Sequence, residues 1–151
     1  MNYPDMEKLQ NELDRIRGIA SSEFSGLAWM EHHENRIRWL SASGNLNLRY
    51  KQLALKPGRG LAGLVIRLGR PLIINSTIQD YEQIKHDYPI MSVEYLHSAI
   101  AIPIIIRNNT QGVLLVGNRT ERIYHNDDLP VLIAAADGLA LLFLQSIMNK
   151  N

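Results

Sequence analysis

The stretch Lys56-Pro57-Gly58-Arg59-Gly60-Leu61-Ala62-Gly63, running on to Gly69 and Pro71, carries the clearest change of backbone behaviour in the chain. Gly58 and Gly60 free the main chain to turn and let another group approach it closely. From Gly60 onward Leu61, Leu64, Val65 and Leu68 recur on one helical face, which predicts a helix opening at Gly60. Gly69 is placed to stop that helix in a left-handed conformation, and Pro71 forbids its continuation. Leu72 to Ile74 then follows as a strand.

Working outward, Met6, Leu9, Leu13, Ile16 and Ile19 draw one apolar stripe along a helix over Tyr3 to Ser22, with Asp5 as its N-cap. Such a stripe must be covered, by the chain's own sheet or by a second copy. The period then shortens. Leu27 to Glu31 and Ile37 to Ala42 read as strands of a hairpin joined by His32, His33, Glu34 and Asn35, and Lys51 to Leu55 as a third extended piece. On the far side of the glycine stretch, Asn75 to Ser98 is a polar, aromatic connection without one period, and connections of that length often carry function. Ala99 to Ile106 and Gly112 to Asn118 form the buried sheet core, joined through Arg107 to Gln111. Asp127 and Asp128 open a long apolar helix reaching Met148, with Pro130 in its first turn.

These elements fit one domain over residues 1–151, with an amphipathic helix in 1–22 and a C-terminal helix in 126–149. The chain has no cysteine, which removes disulfides, thiolate nucleophiles, Cys-based zinc sites and covalently attached bilins together. With 16 basic and 15 acidic side chains and no long basic run, nucleic acid is not expected as the main ligand. No signal-peptide pattern opens the sequence, and Asp137 and Gly138 interrupt the longest apolar stretch, so a cytoplasmic setting is expected, with neither export nor membrane insertion.

Gly58, Gly60, Leu61, Ala62 and Gly63, with Gly69, Pro71 and Leu72, then Ser98, Ala101, Ile102 and Pro103, then Gly112, Val113 and Leu114, together resemble the GAF domain family over almost the whole chain. The resemblance implies an α+β fold: a central antiparallel sheet of about six strands, terminal helices on one face and a ligand pocket on the other. Within the family a closer likeness is to nitrate-sensing receptors of the Nre system, on Trp39, on the Leu61–Ala62 pair after Gly60, and on Tyr88, Pro89 and Ile90. It implies nitrate contacts from the N–H groups of Leu61, Ala62 and Ile90 and from the Trp39 ring, with Tyr88 and Pro89 shaping the site. It also implies a sensor histidine kinase as partner, oxygen-responsive and controlling nitrate respiration. The homodimer through the terminal helices is an expectation of the apolar stripe itself, as the alternative to cover by the chain's own sheet.

Elementary chemistry is compatible with an anion there. The first N–H groups of a helix lack intrahelical acceptors and the helix dipole adds partial positive charge. A delocalised single charge suits several modest donors better than a full cation. At about 1.5 kcal/mol per heavy atom, a four-atom ligand reaches roughly −6 kcal/mol, a dissociation constant of about tens of micromolar.

Catalysis has little support: Ser43 and Ser98 lack a visible base, and the five histidines are scattered. His32 and His33 are adjacent and would face opposite ways, against a shared metal, and His86, His97 and His125 read as surface residues. No cofactor is expected. The competing functions are cyclic-nucleotide binding, whose signature is absent, and a ligand-free interaction or dimerisation module.

Overall fold

The structure is a computed structural model and describes residues 3–76 and 80–149. Asp5 caps α1 (Met6–Ile19) by accepting from the N–H groups of Glu7 and Lys8, and the helix buries Leu9, Leu13 and Ile16. The hairpin β1 (Phe24–Glu31) and β2 (Arg36–Ser43) follows, and the two-residue edge strand β3 (Ala54–Leu55) pairs with β2. Helix α2 (Gly60–Leu68) leads to β4 (Leu72–Asn75), then α3 (Tyr81–Asp87), α4 (Pro89–Val93), β5 (Ser98–Ile106), β6 (Asn109–Asn118) and α5 (Leu129–Met148). The six strands form one antiparallel sheet in the order β3-β2-β1-β6-β5-β4.

Alternation along the central strands sorts side chains to two cores. Leu27 and Trp29 of β1, Ile100, Ile102 and Ile104 of β5, and Leu114 and Val116 of β6 face α1 and α5. Phe24, Ala28, Ala99, Ala101, Val113 and Leu115 face the other way, toward α2, α3 and α4. On β5 the second face is given small side chains, which lets α2 come close to the sheet. The first core is closed by the Trp29–Phe143 stack, with ring centroids 3.8 Å apart. Tyr3 donates to Glu31, whose carboxylate also accepts from Arg36 at 2.7 Å and Arg38 at 3.2 Å, tying the N-terminal segment to the β1–β2 hairpin.

The elements fall where the sequence puts them, with four local corrections. Lys51 to Leu55 is not one strand: residues Arg49–Gln52 make a 3-10 turn that buries Tyr50, and only Ala54–Leu55 pairs. Arg107 and Asn108, both at positive φ, close the β5–β6 hairpin alone, so β6 starts at Asn109 rather than Gly112. The long connection after β4 contains α3 and α4, each a turn or two long, too short for a helical period to emerge from their sequence. Finally, α2 buries Leu61, Ala62, Gly63 and Val65, whereas Leu64 is half-buried and Leu68 exposed, because Gly63 presses against the glycine loop.

Among the described residues α5 is long and apolar enough to cross a membrane by length and composition, but it packs on β5 and α1 and buries Leu132, Ala135, Ala136, Leu139 and Phe143. Its other face leaves Val131, Ile133, Leu141, Ile147 and Met148 exposed.

Candidate anion site

The second core holds the expected site residues. Gly58 (φ 85°) and Gly60 (φ 67°) occupy the left-handed region, and the Gly58 backbone lies against Gly63 of α2. A Cβ on Gly60 would stand 2.4 Å from Leu55 Cδ1, and one on Gly63 2.7 Å from the Gly58 carbonyl carbon. No side chain caps α2 at Arg59, and the Gly63 N–H is the one that donates back to the Arg59 carbonyl, at 3.1 Å. The N–H groups of Gly60, Leu61 and Ala62 precede that bond and have no acceptor within their own helix.

Trp39 of β2, Leu61 and Ala62 of α2 and Ile90 of α4 belong to one buried cluster, each 2% exposed or less. Tyr88 packs on its margin, half-buried, and its phenol is pushed above its ordinary value by burial and then by the charge of Asp87. Pro89, also half-buried, is the first residue of α4, which no side chain caps either. Helix α4 touches both α2 and the 3-10 turn. Gly26 of β1 makes room within the same cluster, since a Cβ there would lie 2.9 Å from the Phe24 ring and 3.5 Å from Trp39. At this degree of burial the cluster is closed by its own side chains, so a ligand enters only if α2, α4 or the chain beside them yields.

Around the cluster lie polar residues that no sequence pattern singled out. Glu94, at the end of α4, is fully buried; its Oε1 accepts from the Leu46 N–H at 2.9 Å and from Arg119 Nη2 at 2.6 Å. Arg119 also donates to the Glu94 carbonyl at 2.9 Å and the Gly44 carbonyl at 3.1 Å, joining α4 to the chain leaving β2. Glu94 Oε2 and Ser98 Oγ are buried without a partner among the described residues. Burial, and then the charge of Glu94, raise the Tyr50 phenol above its ordinary value. Glu94 sits in a polar segment of the sequence and Arg119 lies 25 residues on, so their pairing has no local signature.

The other candidates take structural places. Ser43 Oγ donates to Asp14 and accepts from Arg17 Nε, fixing α1 to β2. His97 is not a surface residue: it is half-buried and stacked on Tyr81, centroids 3.9 Å apart. His32 and His33 line a separate cavity of about 380 Å³ with Trp29, Met30, Ile106 and Arg107 at the hairpin ends, and His32 Nε2 meets Gln111 Oε1 at 2.7 Å. No group of three or more His, Cys, Asp or Glu side chains among the described residues is placed to hold a metal.

A sheet of this order, covered by terminal helices on one face and by a glycine loop and short helices on the other, matches a known family. The model described as GAF domain matches residues 7–143. The chain belongs to the GAF family. Among solved structures it is similar to NreA of Staphylococcus aureus mutated in its nitrate-binding site, with 36% identity and a TM-score of 0.74 over 83% of this chain and 98% of that one. The GAF domain of a phosphoenolpyruvate-protein phosphotransferase from Coxiella burnetii, 19% identical with a TM-score of 0.78 over 95% of this chain and 84% of that one, has the same fold. Among curated proteins, the HTH-type transcriptional activator RamA of Corynebacterium glutamicum is 27% identical over 127 residues, 75% of this chain and 42% of RamA. The chain thus spans less than half the length of that relative.

Proposed function

We propose that this GAF domain is a nitrate sensor, with the anion held by the Leu61, Ala62 and Ile90 N–H groups and the Trp39 indole, and with Tyr88 and Pro89 shaping the site. The observation that carries the reading is the uncapped start of α2 beside buried Trp39, in a chain 36% identical to NreA over nearly all of that protein. An indole N–H is a donor only, and a buried one is best matched by an acceptor such as an anion. The domain acts without chemistry of its own and needs no cofactor. It works in the cytoplasm by changing the activity of an oxygen-responsive sensor histidine kinase that controls nitrate respiration. Regulation then rests on a partner that binds the nitrate-bound and nitrate-free forms unequally, with α4 and the chain around it as the part that yields. The exposed apolar side chains of α5, with Met6 and Ile19 of α1, support a homodimer through the terminal helices.

Calorimetry with nitrate, nitrite, chloride and cyclic nucleotides in nitrate-free buffer tests the ligand. Saturable nitrate binding is expected, in the range of about tens of micromolar or weaker. Saturation by a cyclic nucleotide alone would replace the reading. The tight closure of the Trp39 cluster favours one alternative, a ligand-free interaction module, and silence from every ligand with kinase binding retained would establish it.

A further inference from the structure

The net charge of +1 hides a segregation along the chain. Between Asn35 and Gln79 there is no carboxylate, yet half of the 16 basic side chains lie there; the other half are outnumbered by all 15 carboxylates of the remaining sequence. Within the stretch, Arg36 and Arg38 are spent on the buried Glu31 carboxylate. The other six, Arg49, Lys51, Lys56, Arg59, Arg67 and Arg70, are exposed, and none forms an ion pair among the described residues. They sit on the 3-10 turn, on the glycine loop, and on the last turn of α2 and the bend after it, elements laid over the second face of the sheet and its β3 edge. Leu46, Leu48 and Leu68 are exposed on the same stretch, at 57%, 61% and 39%.

We propose that this basic, leucine-bearing surface docks an acidic segment of a partner protein, carboxylates against Arg49, Lys51 and Lys56 and apolar side chains against Leu46 and Leu48. Like charges without counter-charges repel one another, and a partner's carboxylates relieve that cost while setting its register. Exposed Leu46 and Leu48 among the cations suit a polypeptide, which carries apolar side chains between its carboxylates, better than a duplex, whose outer surface is phosphate. The surface is joined to the candidate site. The Leu46 N–H donates to Glu94 and the Asn47 amide to the Val93 carbonyl, so the leucines hang on α4, which carries Ile90. The inference gives a docking place to the partner of the preceding section and rests on that reading only for there being a regulatory partner; the charge pattern is independent of nitrate.

The test uses the full chain and a labelled 15-residue peptide carrying six Glu and three Leu, read by fluorescence anisotropy. Saturable binding is expected, weakening about tenfold as salt rises through the range where the screening length falls below about 10 Å. The triple variant Arg49→Glu, Lys51→Glu, Lys56→Glu should lose at least about tenfold in peptide affinity while keeping the nitrate affinity of the parent, and Lys51→Gln with Lys56→Gln serves if the triple variant does not fold. Equal peptide binding by parent and variant would overturn the proposal, as would no binding at all. So would tighter binding of a DNA duplex or of phosphatidylserine vesicles than of the peptide, or a self-association of the parent that occupies this surface and is lost in the variant. Peptide binding without any nitrate binding would leave this surface standing and remove the nitrate reading.

Discussion

The two faces of the sheet are built from the same strands and do different work. On one, α1 and α5 lay continuous apolar surfaces over Ile100, Ile102, Ile104 and Leu114, and the Trp29–Phe143 stack completes a core with well-matched partners. On the other, the cover is a 3-10 turn, a glycine loop and three short helices, with uncapped N–H groups at α2, a buried carboxylate oxygen at Glu94 without a partner among the described residues, and two left-handed glycines. Long helices satisfy their own backbone and bury their stripes; short ones leave polar groups for something else to meet. The first face stabilises the fold, and the second leaves polar groups unmet.

That contrast is sharpened most by removing the stack. Trp29→Ala should cost about 3–5 kcal/mol, by urea denaturation, because a large buried side chain leaves a cavity that the sheet and α5 cannot collapse into. A loss below about 1 kcal/mol would mean that the terminal-helix face is not the stabilising one. Next in size is Glu94→Ala, which strands the largely buried Arg119 guanidinium and releases Leu46 from α4. About 3 kcal/mol of stability should go, and Glu94→Gln should recover part of it by keeping a hydrogen-bond acceptor.

Gly60→Ala comes third. It places a Cβ at φ 67° against Leu55, at a cost of about 1–3 kcal/mol, and it should reduce nitrate affinity more than a substitution of similar cost on the other face. If the two substitutions weaken nitrate binding alike, the ligand does not depend on the shape of the glycine loop.

The smallest effect concerns pH. Burial by itself would raise the Glu31 carboxyl, but hydrogen bonds from Tyr3 and Arg36 and the charge of Arg38 outweigh it and hold the group below its usual range. Its contribution is therefore complete above the unfolded value of 4.5 and lost as pH falls through the lower folded one. In Glu31→Gln the acid limb of a stability–pH profile should flatten. At the alkaline end Tyr3, raised to about 12 chiefly by burial, contributes stability below pH 10 that is lost between the two values.

The first face was the more legible in the sequence. The stripe Leu9, Leu13, Ile16 is a period signal and the apolar runs of β5 and β6 read as buried strands, and both predict burial that the structure has. The helix start at Gly60 and its stop at Gly69 were legible because glycine and proline act locally. The 3-10 turn, α3 and α4 were not, since elements of four to seven residues are fixed by tertiary contact rather than period. The Glu94–Arg119 pair was hidden for a similar reason: its partners meet only when β6 and α4 are folded. The basic surface was present in the sequence but averaged away, because a whole-chain charge cancels a carboxylate-free stretch against acidic flanks. The expected site residues are gathered in one cluster, with Tyr88 at its margin and Pro89 at the start of α4.

The central claim, that the second face holds a small anion through backbone N–H groups and an indole, is tested most directly by titrating nitrate into the parent and Trp39→Phe proteins by calorimetry. The parent should saturate, chloride should give no comparable heat, and Trp39→Phe should bind about tenfold more weakly while staying folded in a urea titration, since it keeps a six-membered aromatic ring and loses the N–H donor. Equal affinities in the two proteins, or no heat from the parent at millimolar nitrate, would contradict it.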